Sequence, residues 1–208
     1  MIPEAAMHAK NGRFHIFLQS NFVNLPGGAQ RRRFSLAHEI GHTLFYEQNN
    51  GELKPRKDAP RGDGLEAACQ KAAAMILVPT RLLRAELRQR GCTDARAVAE
   101  LARRFDVSIE VMLRRLNELS VFENGWGPAL VRRSGERLLI EYAAYPPWLM
   151  THIAAAPKRG TEFAAWFGAT VQSNGALAKD AGDERLEAVP TEVTSSLVIF
   201  ELRLHAND

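Results

Sequence analysis

The sequence predicts an α+β protein with a mainly helical core, a small N-terminal sheet, a helix-turn-helix-like segment and a small α+β C-terminal domain. Apolar residues recur with a helical period over most of residues 34–119. Short aromatic and branched runs beside turn residues precede and follow that segment, as is typical of strands. The charge changes as well, because residues 1–127 carry a net charge of +5 and residues 128–208 a net charge of −2.

The elements are assigned from the N-terminus onward. Residues 14–18 predict one or two short strands, and residues 34–46 predict a helix with Ser35 as its N-cap. Residues 49–64 contain two prolines and three glycines without a period, which predicts an exposed loop. Four further helices are expected at residues 65–77, 80–90, 93–104 and 108–119.

After residue 127 the sequence pattern changes from helical periodicity to the alternation and turn residues typical of strands. A hairpin, a short helix and a final strand are expected at residues 129–142, 161–167 and 196–204. The chain is therefore expected to have three parts: a mainly helical core with the N-terminal sheet (1–91), a helix-turn-helix-like segment (92–127) and a C-terminal α+β domain (128–208).

The composition excludes several classes of protein. Hydrophobic residues make up 46% of the 208 residues, which is enough for a core and excludes disorder as the main state. The longest apolar run, residues 72–78, is far shorter than the ~18 to 20 residues of a membrane-spanning helix, so no membrane partner is expected. The first residues carry an acid where an export signal carries lysines, which favours a cytoplasmic location. With two cysteines in the chain, a metal would have to be held by histidine and carboxylate.

Residues 38–42 read His-Glu-Ile-Gly-His and carry the most informative chemistry. Positions i and i+4 share one face of a helix, so His38 and His42 can point ring nitrogens at one zinc ion. Glu39 lies beside that face, where it can accept a proton from a water that the metal activates. The alternative is a pair of surface histidines on an amphipathic helix.

A catalytic zinc site normally has three protein ligands and an open position, so a third ligand is expected. Glu66 is the preferred candidate, because it begins an apolar helix where an unpaired carboxylate would be costly. The alternative for Glu66 is an acid favoured by the helix dipole. Rival ligands, all in or next to the preceding loop, are Asp58, Asp63 and Glu47.

Two separated motifs resemble the ImmA/IrrE family of zinc metallopeptidases. Residues 33–42 resemble the family's R-F-[ST]-L-A-H-E-[IL]-G-H helix, and residues 66–79 resemble its E-x-x-A-N-x-F-A-A-x-L-[LM]-[MV]-P helix. Residues 101–108, with Arg115 and Leu116 beyond them, are similar to its helix-turn-helix-like L-A-x-x-F-x-V-S…R-L segment. The resemblance covers about residues 14–120. The departures, which lie on the second helix but not at a ligand, are Cys69, Gln70 and Ala72.

The resemblance implies that residues 1–91 are a zincin-like zinc metallopeptidase core, with one zinc ion on His38, His42 and Glu66, and Glu39 as catalytic base. It also implies a narrow substrate range, since family members resemble site-specific endopeptidases that cut a helix-turn-helix transcriptional repressor. Such cleavage switches on genes for the DNA-damage response, mobile-element excision or antiphage defence. Single-stranded DNA or another ligand is a candidate activating partner. Some members carry a C-terminal GAF-like sensory domain, for which residues 128–208 are short.

Two further assignments keep their alternatives. Tyr46, one turn beyond His42, is a candidate oxyanion stabiliser, although an aromatic ring packed in the core is the favoured interpretation. The competing function is a DNA-binding transcriptional regulator with a structural or degenerate metal site, whose phosphate contacts would be Arg103, Arg104, Arg114 and Arg115. A solvated face explains these arginines more simply. Residues 31–33, three consecutive arginines, are interpreted as a surface turn leading into the helix.

Overall fold

The protein is described by a computed structural model that covers residues 5–20, 27–92, 94–122, 126–144, 149, 158–167, 170–171, 177–181, 184–194 and 196–206. The chain forms two units. Met1–Ala85 and Phe105–Ser108 make up the first unit, and Glu86–Arg104 and Ile109–Asp208 make up the second. Within the described residues, no helix is long and apolar enough to cross a membrane.

The first unit opens with an antiparallel hairpin of β1 (Ala5–Lys10) and β2 (Arg13–Leu18). Its turn is Asn11-Gly12, and both residues have positive φ angles, as tight two-residue hairpins require. A Cβ atom on Gly12 would lie 2.7 Å from the carbonyl oxygen of Gly51. Glycine is therefore needed at this position for both the backbone angle and the close approach. The expected strand at residues 14–18 is confirmed, whereas β1 is not foreseen.

The first helix, α1 (Gly28–Thr43), is longer than predicted at its start and shorter at its end. Its first turn is closed by the N–H of Arg31, which donates to the carbonyl oxygen of Gly27, so Ser35 lies inside the helix and the predicted cap is wrong. The three arginines at 31–33 are also helical, and the predicted surface turn is wrong. Arginine has good helix propensity, which the apolar period alone does not register.

Residues 46–55 form a second hairpin, of β3 (Tyr46–Asn49) and β4 (Glu52–Pro55), where the end of a helix at residue 46 and a loop from residue 49 are predicted. The prediction is wrong because both strands are short, largely exposed and polar, so they lack the alternation that marks a strand. The turn Asn50-Gly51 has positive φ angles at both residues and is a strong local hairpin signal. Tyr46 consequently belongs to a strand and does not continue the face of α1.

The second helix, α2 (Asp63–Leu77), ends just before Val78-Pro79, as the restriction on residues that precede proline predicts. Three more helices follow: α3 (Thr80–Arg90), α4 (Ala95–Phe105) and α5 (Ile109–Glu118). All four lie within two residues of their predicted spans. The helix predicted at residues 93–104 begins with Thr93, which lies outside the described residues.

Between α4 and α5, Asp106 has a positive φ angle and contacts α1 within the first unit. The guanidinium of Arg33 donates to the Asp106 carboxylate at 2.5 Å and to the Asp106 carbonyl oxygen, and Gln30 donates to the same carboxylate at 3.3 Å. The turn is therefore fastened to the helix that carries the histidines.

The second unit contains a six-stranded antiparallel sheet in the order β6-β5-β10-β9-β8-β7. Its strands are β5 (Trp126–Ser134), β6 (Arg137–Ala143), β7 (Thr170–Val171), β8 (Leu177–Ala181), β9 (Glu184–Thr194) and β10 (Leu197–Ala206), and a short helix, α6 (Phe163–Phe167), precedes β7. The hydrophobic core of the second unit contains several aromatic residues, and in it Phe163 stacks on Phe200 with 4.3 Å between the ring centroids. The predicted hairpin, short helix and final strand are confirmed. The prediction omits β7, β8 and β9.

Candidate metal centre

The two histidines of the motif converge on one point because they lie four residues apart on α1. The Nε2 atoms of His38 and His42 are 3.2 Å apart, and the rings meet edge to face with centroids 4.9 Å apart. Both side chains are largely buried, at 16% and 17% exposed. Two imidazole nitrogens at this separation share either one proton or one cation.

Glu66 reaches the same point from the first turn of α2. Its Oε2 atom lies 3.2 Å from Nε2 of His38, and its Oε1 atom lies 3.7 Å from Nε2 of His42. Within the described parts of the chain, these three residues are the group of His, Cys, Asp and Glu side chains whose donor atoms all lie within 4.8 Å of one another. The structure therefore brings together the two histidines and the preferred third candidate.

The spacing of these donors fits a tetrahedral metal ion. Ligand atoms bonded at 2.0–2.1 Å to a tetrahedral zinc lie about 3.3–3.4 Å from one another. The two Nε2 atoms are 3.2 Å apart, and each lies 3.2 or 3.7 Å from one of the two carboxylate oxygens of Glu66, so all three distances lie close to that value. Glu66 is 55% exposed, so one side of the group is open to solvent. Two imidazoles, one carboxylate and an open side form the donor set of a catalytic zinc site.

Small residues let α1 and α2 approach closely enough for this convergence. A Cβ atom on Gly41 would lie 3.1 Å from the carbonyl oxygen of Cys69 and 3.3 Å from the Cβ atom of Ala72, tighter than ordinary carbon contacts. Ala37 and Ala73 are fully or almost fully buried in the same two helices. Gly41 is a residue that sequence reasoning missed, although its place between the histidines marks the helix face turned toward α2.

Glu39 is buried, at 8% exposed, although it is a charged residue on a helix of mixed polarity. Burial of Cys69 raises the pKa of its thiol to about 11, and the charges of Glu66 and Glu39 add to this shift. Glu39 is therefore a buried carboxylate on the helix that carries both histidines, where a proton acceptor is partly shielded from bulk water.

The rival ligands point elsewhere. Asp58 accepts two hydrogen bonds from Arg56, at 3.0 and 2.7 Å, and Glu47 accepts one from Asn49 at 3.1 Å. Asp63 starts α2 but does not join the donor group among the described residues. Tyr46 is half-buried, and its ring packs edge to face on Phe14 with centroids 5.4 Å apart.

The four arginines considered for nucleic-acid contact differ in exposure and pairing. Arg103 is exposed, Arg104 pairs with Glu86 at 2.8 Å, and Arg114 pairs with Glu110 at 2.8 Å. Arg115 is 2% exposed and paired with Glu118. A fully buried guanidinium offers no surface to a phosphate, so Arg115 cannot make the predicted contact from this position. Solvent reaches the other three arginines.

Comparison with known proteins adds an independent line of evidence. Residues 2–117 match the family model of the IrrE N-terminal-like domain (Peptidase_M78). The chain is 39% identical over 100 residues to a radiation response metalloprotease IrrE of Deinococcus radiodurans, a match that covers 46% of this chain and 30% of that protein. A protein of the same name from Deinococcus deserti is 42% identical over 100 residues, 46% of this chain and 35% of the relative. The matched part thus spans about a third of each relative's length.

Proposed function

We propose, from the premise that this chain belongs to the IrrE N-terminal-like (Peptidase_M78) family of metalloproteases, that it is a zinc-dependent endopeptidase with one zinc ion per chain. His38, His42 and Glu66 would hold the ion, and Glu39 would act as the base. The observation that carries the proposal is the convergence of two imidazoles and one carboxylate from two helices, with donor atoms that all lie within 4.8 Å of one another. Glu39 lies one residue from the first donor, on the same helix.

When bound, zinc supplies a Lewis acid that lowers the pKa of water toward ~7 and polarises the carbonyl of the scissile peptide bond. The carboxylate of Glu39 takes the proton from the attacking water. The same carboxylate then delivers that proton to the nitrogen of the leaving amine, which completes hydrolysis. The burial of Glu39 favours this role, because few bulk waters compete for its oxygens. Tyr46 as a stabiliser of the oxyanion stays a prediction.

The proposed substrate is a helix-turn-helix transcriptional repressor, cut at one site in the cytoplasm so that stress, mobile-element or antiphage genes are expressed. Sequence resemblance supports this substrate, and the radiation-response names of the relatives are consistent with it. In this proposal, residues 92–127 form the helix-turn-helix-like part, and residues 128–208 form a reduced sensory domain. Single-stranded DNA is the candidate activator.

Zinc binding provides the first test. Purified protein should hold about one zinc per chain by elemental analysis, and Glu66→Ala should bind zinc at least ~10- to 100-fold more weakly. Asp63→Asn is the matched control, because Asp63 shares the first turn of α2 but not the donor group. Equal zinc loss in both variants would assign Glu66 to the helix dipole and remove it from the ligand set.

Cleavage provides the second test. The protein is incubated with the repressor encoded beside it, with and without single-stranded DNA, and a defined fragment is expected. Glu39→Gln should keep the metal and lose the fragment, because an amide accepts no proton at neutral pH. Cleavage by Glu39→Gln would remove Glu39 from the role of base, and DNA binding without a fragment from the wild-type protein would favour the regulator.

A further inference from the structure

A cavity of about 380 Å³ opens beside the donor group, within the first unit. His42 forms part of its wall, so a group bound in the cavity lies next to a proposed metal ligand. The apolar part of the wall comes from Phe45, Pro55, Pro60 and Leu65. The volume falls within the ~300 to 1,000 Å³ of typical ligand pockets. An apolar wall of this kind fits the aliphatic stem of a side chain.

The charged residues that line the cavity are basic. They are Arg56, Lys57 and Arg61, and no carboxylate is among the described residues of the lining. Arg56 is engaged by Asp58, whose pKa is lowered by that hydrogen-bonded pair, so Asp58 stays ionised and offsets one cation. Across the described ranges, the side chains of Lys57 and Arg61 have no ion-pair partner. Two exposed cations at the rim thus remain for a ligand.

Local hydrogen bonds hold this loop in place without a ligand. The N–H of Arg56 donates to the carbonyl oxygen of Phe45 at 2.8 Å, which extends the β3–β4 pairing by one residue. The N–H of Ala59 donates to the carbonyl oxygen of Arg56 at 3.1 Å and closes a turn. Pro55 and Pro60 fix two φ angles on either side. The cations therefore project from an ordered backbone segment, so binding orders the two side chains and little of the backbone.

We propose that this cavity is the specificity pocket of the peptidase and that it accepts an acidic substrate side chain next to the scissile bond. Phe45 and Leu65 contact the stem of that side chain, and Lys57 and Arg61 pair with its carboxylate. The assignment rests on the proposed function, because the cavity is placed beside the scissile bond only by its nearness to His42, a proposed metal ligand. It adds the substrate class, since peptides with an acidic residue at one fixed position would be preferred.

The test measures binding, so it does not depend on finding the natural substrate. Two peptide hydroxamates, which chelate zinc, differ only in the side chain beside the hydroxamate: glutamate in one and glutamine in the other. Calorimetry on the zinc-loaded full chain should give about 2- to 25-fold tighter binding of the glutamate compound, from two exposed charge pairs. High salt should reduce the preference. Lys57→Glu/Arg61→Glu should abolish or reverse it.

Lys54→Glu is the matched control. Lys54 is also exposed, on the β3–β4 hairpin just before Lys57 and Arg61, but it pairs with Glu52 at 2.9 Å and lies outside the lining, so its reversal should leave the preference intact. Equal affinity for both hydroxamates would overturn the pocket assignment and leave the peptidase proposal standing. The same conclusion would follow if a third hydroxamate, with leucine at the same position, bound more tightly than either. If the chain takes up no zinc, the hydroxamates have no anchor, and the proposed function fails together with the pocket.

Discussion

Gly41→Ala tests whether the contact between α1 and α2 determines the metal site. The added methyl group would lie 3.1 Å from the carbonyl oxygen of Cys69 and 3.3 Å from the Cα atom of Cys69 and the Cβ atom of Ala72. Relaxed carbon contacts need about 3.5–4.0 Å, so the two carbon contacts at 3.3 Å must lengthen by roughly 0.2–0.7 Å as α2 retreats. Overpacking of this kind costs about 1–3 kcal/mol, and the better helix propensity of alanine recovers about 1 kcal/mol. We expect a net loss of about 0–2 kcal/mol in unfolding free energy.

The larger effect should be on metal binding, because Glu66 moves with α2 while both histidines stay on α1. Metal–ligand distances in zinc sites lie within about 0.2 Å of their standard values, and the expected retreat is of that size or larger. We predict a loss of zinc affinity of about 10-fold or more, measured by competition with a chelator. Urea unfolding of the metal-free protein measures the change in unfolding free energy separately.

The matched control is Gly64→Ala, also a helical glycine, where the added Cβ atom would meet only the Cβ atom of Pro60 at 3.7 Å. That distance is an ordinary contact, so this variant should keep the zinc affinity of the wild type and be as stable or slightly more stable. Wild-type zinc affinity in Gly41→Ala would refute the claim that the close approach of the two helices sets the donor geometry.

The remaining predictions concern buried carboxylates of the second unit. Burial works to raise the pKa of Glu141, which is 8% exposed, but hydrogen bonds from Arg132 and Arg159 outweigh it and the pKa is lowered. The stability from this group is therefore present above the ordinary pKa of 4.5 and lost as the pH falls through the lower folded value. Glu141→Gln should cost about 1–3 kcal/mol at pH 7, and its difference from the wild type should shrink in acid unfolding scans; a constant difference down to pH 2 would contradict this. Glu201→Ala should cost about 1–3 kcal/mol in urea unfolding, because its carboxylate accepts the first N–H of α4 at 2.9 Å, whereas the exposed Glu192→Ala should cost less than about 0.5 kcal/mol. Equal losses in the last two variants would contradict the role of burial.

The sequence predicts the helices well because their signals are local. Residues 80–90 form the helix expected there, and α2 ends where a following proline requires it. The errors have equally local reasons. The β3–β4 hairpin carries no alternation of apolar and polar residues, and the start of α1 consists of arginines, which the apolar period does not register. The three-part division of the chain stays a prediction.

The sequence by itself determined the pair of histidines on one helix face, because a spacing of four residues has the same geometry in any α-helix. The order and spacing of two motifs pointed to Glu66 as a partner. Only the tertiary structure decided that Glu66 reaches both histidines, because this depends on how closely α1 and α2 approach at Gly41. The cavity beside His42 likewise exists only because residues 42–65 fold back on themselves, and this path of the chain is not set by the pattern of any one element.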